Sequence, residues 1–495
     1  VGTLYNYIGG NSDSQGLQGT FRGVYDWNSM TTDEQILPVR GADWYDGGFW
    51  QQLYYHTWES SDDALYNTWC YLYKVVQLAN RSLYFIQLHR GVLTDGQFRQ
   101  YCSEVRAVRA LFYFELMDMF GRVPLVTEYS KDPKAPVQSE RSQVYRFVIG
   151  ELQDAVPYLP QGRSNQKGNV YGRVTQGVAC FLLAKLMLNA EIYADDNWTD
   201  STRPQGADLF FTVDGRRLNA WEGCLHYCDT LQAMGYQLEA RVADNFAINN
   251  ETSKENIFVI PMDKVLYSNT FGYLFRSRHY AHGSALGLDS ENGTSATLST
   301  IQTFGYGTDS LDTRYAYTFF SDTIKVDGST VKIDGRHPLV YYPLEIRPDL
   351  SSSPYEKLAG ARMAKYEVDR KAYADGKLQD NDIVLFRYAD VLLMKAEAKV
   401  RDGQDGTAEL NEVRSRAGMQ PRPKATLSNI LKERLLELMW EGWRRNDLIR
   451  FDLFHRQYDF RPQLKDETDR HTIVFPIPAT AIELNPKLQQ NHGYD

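Results

Sequence analysis

ELMWEGWRRNDLIRF, Glu437 to Phe451, sets two tryptophans among carboxylates and arginines on what reads as one helix over 427–450. Glu437 and Glu441 stand four apart, so on a helix they share a face, as a pair of catalytic carboxylates does. Arg444, Arg445, Asp447 and Arg450 follow directly. A catalytic acid needs a raised pKa, whereas arginines beside a glutamate favour its ionised form and lower it. The charge pattern therefore points to architecture rather than chemistry.

Similar apolar periodicity recurs upstream. Leu65, Trp69, Leu72, Val76, Ala79, Leu83 and Ile86 alternate at four and three spacing behind a Ser60–Asp63 capping pattern. A second helix is predicted from the capping box Thr94–Gln97 through Phe98, Tyr101, Val105, Val108, Phe112, Leu116 and Met119, stopped by Gly121 and Pro124. Further helical patterns occupy 140–157, 174–194, 219–234, 388–401 and 407–417, which predicts antiparallel helix pairs joined by short turns. Two stretches break the pattern. Residues 1–59 are dense in Gly, Asp and aromatics, and 240–380 mix Gly, Ser, Asn, Tyr and Phe with short β-type runs such as Asn256–Ile260. The expected layout is a single unit over 1–495: an irregular segment 1–59, a helical scaffold 60–239, a loop-rich lobe with minor strands 240–380, and C-terminal helices with an extended tail 381–495.

Composition narrows the function classes. The 495 residues are 43% hydrophobic, with nine Trp and 33 Tyr, enough for a substantial core. A net charge of −9 and a pI near 5.6 argue against a nucleic-acid partner, which requires a basic face. The longest apolar run, VACFLLAKLMLNA from Val178, is shorter than the ~18–20 residues of a membrane span and carries Lys185. The chain begins at Val1 without a methionine, and we expect a leader to have been removed upstream, with any targeting signal. Five cysteines cannot form a complete intramolecular disulfide set.

The chemistry-bearing candidates lie in the irregular stretches. RGADWYDGGFWQQLYYHTW, Arg40 to Trp58, alternates aromatic rings with Asp43, Asp46, Gln51 and Gln52. Sugars offer C–H faces that stack on rings and hydroxyls that pair with carboxylates and amides, so the mixture fits a glycan site in kind. The competing reading is local core that holds a long loop down. YSNTFGYLFRSRHYAHG, from Tyr267, raises the same question. On loop position and chemistry the candidate carbohydrate-binding residues are Asp43, Trp44, Asp46 and Trp50, with Tyr273, His279 and Tyr280 from the second segment. His279–His282 and Cys224–His226–Cys228 have metal-like spacing, but each lacks a second half, and on a helix His226 points away from the two cysteines. No P-loop, dinucleotide fingerprint or Gly-x-Ser-x-Gly elbow occurs. No cofactor, no metal and no catalytic residue are expected.

Taken with its flanks, the opening stretch resembles a known signature. ERLLELMWEGWRRNDLIRF from Glu433 is similar to the signature helix of the SusD/RagB family, cell-surface glycan-binding lipoproteins of Bacteroidetes-type bacteria. FPIPATAIELNPKLQQNHGY, Phe475 to Tyr494, resembles that family's C-terminal segment. Matches continue in VRAVRALFYFELMDMFGRVPLVTE from Val105, VTQGVACFLLAKLMLNAEIY from Val174, LFRYADVLLMKAEA from Leu385, LNEVRSRAGM from Leu410 and the Thr31–Glu34 run. The resemblance implies a mostly α fold of tetratricopeptide-like helix pairs with a less regular ligand-bearing lobe. It implies binding of a glycan without catalysis, beside a TonB-dependent SusC-like outer-membrane transporter. It also implies surface exposure at the outer membrane through an N-terminal lipidated cysteine; this chain has no cysteine before Cys70. Under it, Glu437, Glu441, Arg444, Arg445 and Asp447 are structural, with Glu441 and Arg445 at i,i+4 spacing, and Trp440 and Trp443 pack on neighbouring helices. Two other classes stay open. A glycoside hydrolase on a helical scaffold would need two carboxyls ~5–10 Å apart across a cleft. The other is a surface component that binds protein or peptide.

Overall fold

A computed structural model describes residues 1–131, 135–373, 376–464, 467 and 469–494. The last residue of the expected tail, Asp495, lies outside the described residues. The fold is mostly α. Asp63–Leu88 packs on Asp95–Phe120, which packs on Arg141–Ala155. Gln176–Leu188 packs on Ala220–Ala233, and Tyr388–Arg401 closes against Gln176–Leu188, Ala220–Ala233, Thr407–Arg416 and Leu427–Leu438. This is the tetratricopeptide-like pairing implied by the resemblance.

Local rules account for most helix ends. Thr94 accepts from the Gln97 N–H while the Gln97 side chain accepts from the Thr94 N–H, and Gly121, at φ 68°, ends the helix. The preceding helix differs from expectation, because its N-cap is Asp62 rather than Ser60. In Gln176–Leu188 every residue after Gln176 is buried, Lys185 included. A helix buried on all sides loses its amphipathic stripe. Lys185 remains charged-compatible there through Asp390 at 2.7 Å and the Trp443 ring at 4.1 Å.

The opening stretch departs from expectation. It is two helices, Leu427–Leu438 and Arg444–Arg450, separated by a turn in which Trp440 and Gly442 take φ of 71° and 79°. Glu437 and Glu441 therefore do not share a helical face, and Glu441 and Arg445 do not form an i,i+4 pair. The orphan carbonyls at the broken end are instead capped by cations. Lys365 Nζ donates to Glu437 O at 2.9 Å and Met439 O at 2.8 Å, and Arg387 Nη2 donates to Glu437 O at 2.6 Å. The side chains form a buried network: Arg387 reaches Glu437, Glu441 and Glu255 at 2.7–2.8 Å, and Arg314 reaches Glu437 at 3.0 Å. Burial alone would raise the Glu437 carboxyl, but Arg416, Arg387 and Arg314 outweigh it and hold it well below the usual range.

One contiguous hydrophobic cluster runs from Leu4 to Leu488. The 1–59 segment carries short helices at Gly2–Tyr5, Val24–Ser29 and Phe49–Tyr55, and the lobe carries others at Tyr273–Ser277, Tyr280–Leu286 and Leu298–Thr303. Strands are small. Asn256–Ile260 pairs antiparallel with Ile383–Arg387, both fully buried, and Gln35–Ile36 pairs with Ser295–Ala296. The last pairing joins the stretches that flank the two aromatic segments.

Candidate functional site

The 41–48 loop has an unusual backbone. Gly41, Trp44, Asp46, Gly47 and Gly48 all have positive φ, from 44° to 90°. For glycine this costs little, but for a bulky side chain it is a genuine outlier that surrounding contacts must hold. Trp44 is held from three sides. Its Nε1–H donates to Glu291 O at 2.9 Å, its ring lies edge-to-face with Trp50 at 6.2 Å, and it covers Gly293, where an added Cβ would come within 2.9 Å of the indole.

The structure brings the two aromatic segments together at this point. Tyr280 O–H donates to Asp43 Oδ2 at 2.8 Å, and Lys357 Nζ donates to the same oxygen at 2.6 Å and to Arg40 O at 3.0 Å. The bond from Lys357 chiefly, with Tyr280 adding to it, holds the Asp43 carboxyl below its ordinary range. Burial and then the hydrogen bond to Asp43 push the Tyr280 phenol up to about 12. Tyr280 is 44% exposed and Tyr45, next to Trp44, is 60% exposed. The face thus presents the exposed rings of Tyr45 and Tyr280, with the half-buried Trp44 at its edge, around the Asp43 carboxylate and Lys357.

Other candidates fall elsewhere. Trp50 is 2% exposed and Tyr273 is 3% exposed, so neither offers a ring face to a ligand, and both are corrected to core residues. Trp50 packs beneath Trp44 and Phe49 and donates to Asp46 Oδ2 at 2.8 Å. Tyr273 stacks on Tyr25 at 4.1 Å, and its hydroxyl accepts from Gly19 N–H at 2.6 Å. Asp46 is exposed but engaged by Trp50 and by Arg22 at 2.7 Å, which makes it a strap for the loop. His279 is a buried N-cap whose Nδ1 accepts from Ala281 N–H, and burial, then the nearby Arg362 and Arg40, push its imidazole down to about 4. Of the metal-like spacings, Cys224 and Cys228 are buried in the core, while His226 turns to Asp214 at 3.0 Å.

Sequence reasoning missed Tyr45 and Lys357. Tyr45 was visible inside the quoted run, but nothing there says that Trp44 turns in while Tyr45 turns out. Lys357 is 314 residues from Asp43, and only the fold brings it there.

Adjoining this face is a groove of about 470 Å³ between the Phe49–Tyr55 helix and residues 348–351, with Gly41 and Tyr45 on its near wall. Val39 N–H bonds to Pro348 O at 3.0 Å and Leu350 N–H to Val39 O at 2.9 Å, which fixes the two sides relative to each other.

Comparison with known proteins places this architecture. A family model described as "SusD family" matches residues 197–494, and one described as "Starch-binding associating with outer membrane" matches 22–188. The chain belongs to the SusD family. It is 26% identical to the starch-binding protein SusD of Bacteroides thetaiotaomicron, over 98% of this chain and 87% of that one. Among solved structures, it resembles surface glycan-binding protein A from Bacteroides uniformis with a TM-score of 0.71 and 22% identity, covering 96% of this chain and 95% of that one. It also resembles surface glycan-binding protein A from Bacteroides thetaiotaomicron in complex with laminarihexaose, with a TM-score of 0.72 and 18% identity, covering 99% and 97%. Among the described residues no helix is long and apolar enough to cross a membrane.

Proposed function

We propose that this protein is a cell-surface glycan-binding protein that captures an oligo- or polysaccharide on the Asp43–Trp44–Tyr45–Tyr280 face and does not cleave it. The observation that carries the reading is the joining of the two aromatic segments around one carboxylate, with Trp44 held in a strained conformation that presents the loop. Exposed rings stack on sugar faces, and Asp43 and Lys357 pair with hydroxyls. Asp43 is held ionised by Lys357, which suits a hydrogen-bond acceptor and not a general acid. Membership of the family, and relatives that bear starch- and glycan-binding names, support the same assignment.

The same reading places the protein at the outer membrane, held by an N-terminal lipid and handing its ligand to a SusC-like TonB-dependent transporter. A tether raises the effective concentration at the transporter mouth, so the contact can be weak and reversible. Electrophoresis through gels containing starch or laminarin tests binding, and a reducing-end assay on the same mixtures tests cleavage. Retardation without new reducing ends is expected; new reducing ends at catalytic rates would refute it. Co-purification of a transporter with the full-length precursor in mild detergent tests the partnership, and recovery of the precursor free of membranes would refute the anchor.

A further inference from the structure

The groove beside the proposed face has the chemistry of a sugar subsite. Its helical wall comes from Gln51 and Tyr55, four apart on Phe49–Tyr55 and therefore on one face, while Trp50, Leu53 and Tyr54 turn into the core. The opposite wall carries Asp349 and Ser351, both exposed. Neither amide atom of Gln51 has a hydrogen-bond partner. Both atoms are shielded from solvent, and a buried amide left so is rare in a folded protein. Tyr55 and Asp349 both line the opening, and burial and then the Asp349 carboxylate raise the Tyr55 phenol. The volume accommodates on the order of two sugar rings, within the ordinary range of ligand sites.

Charge selects among ligands. Among the described residues the lining holds a single carboxylate, Asp349, and no lysine or arginine. A sulfated or uronate-bearing chain would meet repulsion there and no partner, whereas hydroxyls meet the phenol, the serine and the carboxylate. The groove and the proposed face share Tyr45, and Gly48 between them has nothing within 4 Å of where a Cβ would stand. A chain lying over Tyr45 therefore contacts both.

We infer that the groove walled by Gln51, Tyr55, Asp349 and Ser351 is a second subsite for uncharged pyranose units, continuous with the Trp44–Tyr280 face, so that the protein recognises several consecutive sugars of a neutral glycan. The inference rests on the glycan-binding reading above and extends it to chain length and charge.

The test is isothermal titration of the wild-type chain and of Gln51→Ala, Ser351→Trp and Trp44→Ala with maltooligosaccharides and laminarioligosaccharides from disaccharide to heptasaccharide. Thermal melts check that each variant folds, and Ser351→Trp fills the groove from an exposed position without touching the core. For the series that binds, wild-type affinity should rise with length. Both groove variants should lose about tenfold for the heptasaccharide, the size of one interface hot spot, and change little for the disaccharide. Trp44→Ala should weaken every length. Groove variants that match wild type at every length, while Trp44→Ala is impaired, overturn the second subsite alone. Failure of the wild-type chain to bind either series overturns it together with the reading on which it rests. Tighter binding of polygalacturonate than of the neutral series overturns the charge assignment.

Discussion

Glu441→Ala should destabilise the protein by about 3 kcal/mol, a value that follows from what the carboxylate leaves behind. Glu441 Oε1 accepts from Lys365 and from Arg387 Nη2 at 2.8 Å, and Oε2 accepts from Arg387 Nε at 2.7 Å. Removing one member of a buried pair typically costs ~3–5 kcal/mol, because the partner stays buried and unpaired. Two features favour the lower end. Arg387 keeps Glu437 and Glu255, and burial has already pushed the Lys365 ammonium down to about 8, so it can shed its proton once Glu441 is gone. That second feature sets a pH signature. The lysine in the variant has a folded pKa below the wild-type value, so it escapes the unpaired charge sooner as pH rises, and the deficit should shrink between pH 7 and pH 9. Urea unfolding followed by tryptophan fluorescence measures the loss, and Lys365→Met in the same background should recover part of it. A deficit below about 1 kcal/mol, the worth of a surface pair, would refute the network argument. So would normal stability combined with lost glycan binding, which would move Glu441 into the ligand site.

Trp44→Ala should weaken oligosaccharide binding by about 1–3 kcal/mol in a variant that still folds, as expected for a half-buried ring at the edge of the face; an unchanged affinity would remove it from the face. Trp50→Ala should instead cost about 3–5 kcal/mol of stability in urea titration, the range for a deleted core tryptophan; a near-neutral effect would contradict its burial. Gly442→Ala should destabilise by about 1–2 kcal/mol, since it forces a side chain into left-handed backbone with its Cβ 3.2 Å from the Tyr25 ring; a wild-type Cm would show that the turn relaxes. Burial raises Glu34 to about 8, so in wild type its contribution is full below the unfolded value near 4.5 and is lost as pH climbs through 8. Glu34→Gln should abolish that loss, gaining up to about 4 kcal/mol on wild type between pH 5 and pH 9, and parallel pH–stability curves for the two proteins would refute it.

The helices were legible because their signals are local. The Thr94 capping box, the stop at Gly121 and the period of the Asp63–Leu88 stripe each need only neighbours in sequence. The break at 439–443 was harder to read. Gly442 stood in plain view, but an isolated glycine is tolerated within a helix. The decisive feature is Trp440 at φ 71°, held by its N–H to Glu34 Oε1 at 2.6 Å and by Tyr25 O–H to its carbonyl at 3.1 Å. Both partners are more than 400 residues away, beyond any periodicity. The site shows the same divide. The residue types suited to a sugar were readable in 40–58, but which ring faces outward depends on the Trp44 backbone and on Glu291, Gly293 and Lys357. Hence Trp44 and Tyr280 remain at the proposed face, whereas Trp50 and Tyr273 turned out to be core.

The stretch that identifies the family and the loop that carries the proposed ligand face are physically linked, although no side chain of the first touches the second's ligand surface. Arg444 clamps Asp33 through its Nε at 2.6 Å, and the Trp440 N–H holds Glu34. Immediately after these two anchors Gln35–Ile36 pairs with Ser295–Ala296, and a few residues before that partner lie Glu291 and Gly293, on which Trp44 rests. Elsewhere the same stretch grips the helical scaffold, with Arg445 on Asp118 at 2.7 Å and Arg450 on Glu397 at 2.6 Å. Strain at Trp44 persists only if both sides of its loop are fixed, and here the anchors at 33–34 and the strand pairing at 35–36 fix the side before it, while the Phe49–Tyr55 helix with its buried Trp50 fixes the side after it. A network of this kind leaves the loop's outward side chains free to vary while their positions stay set. The scaffold residues thus act on ligand recognition only through position, which is why replacing Glu441 should register in unfolding while replacing Trp44 should register in binding.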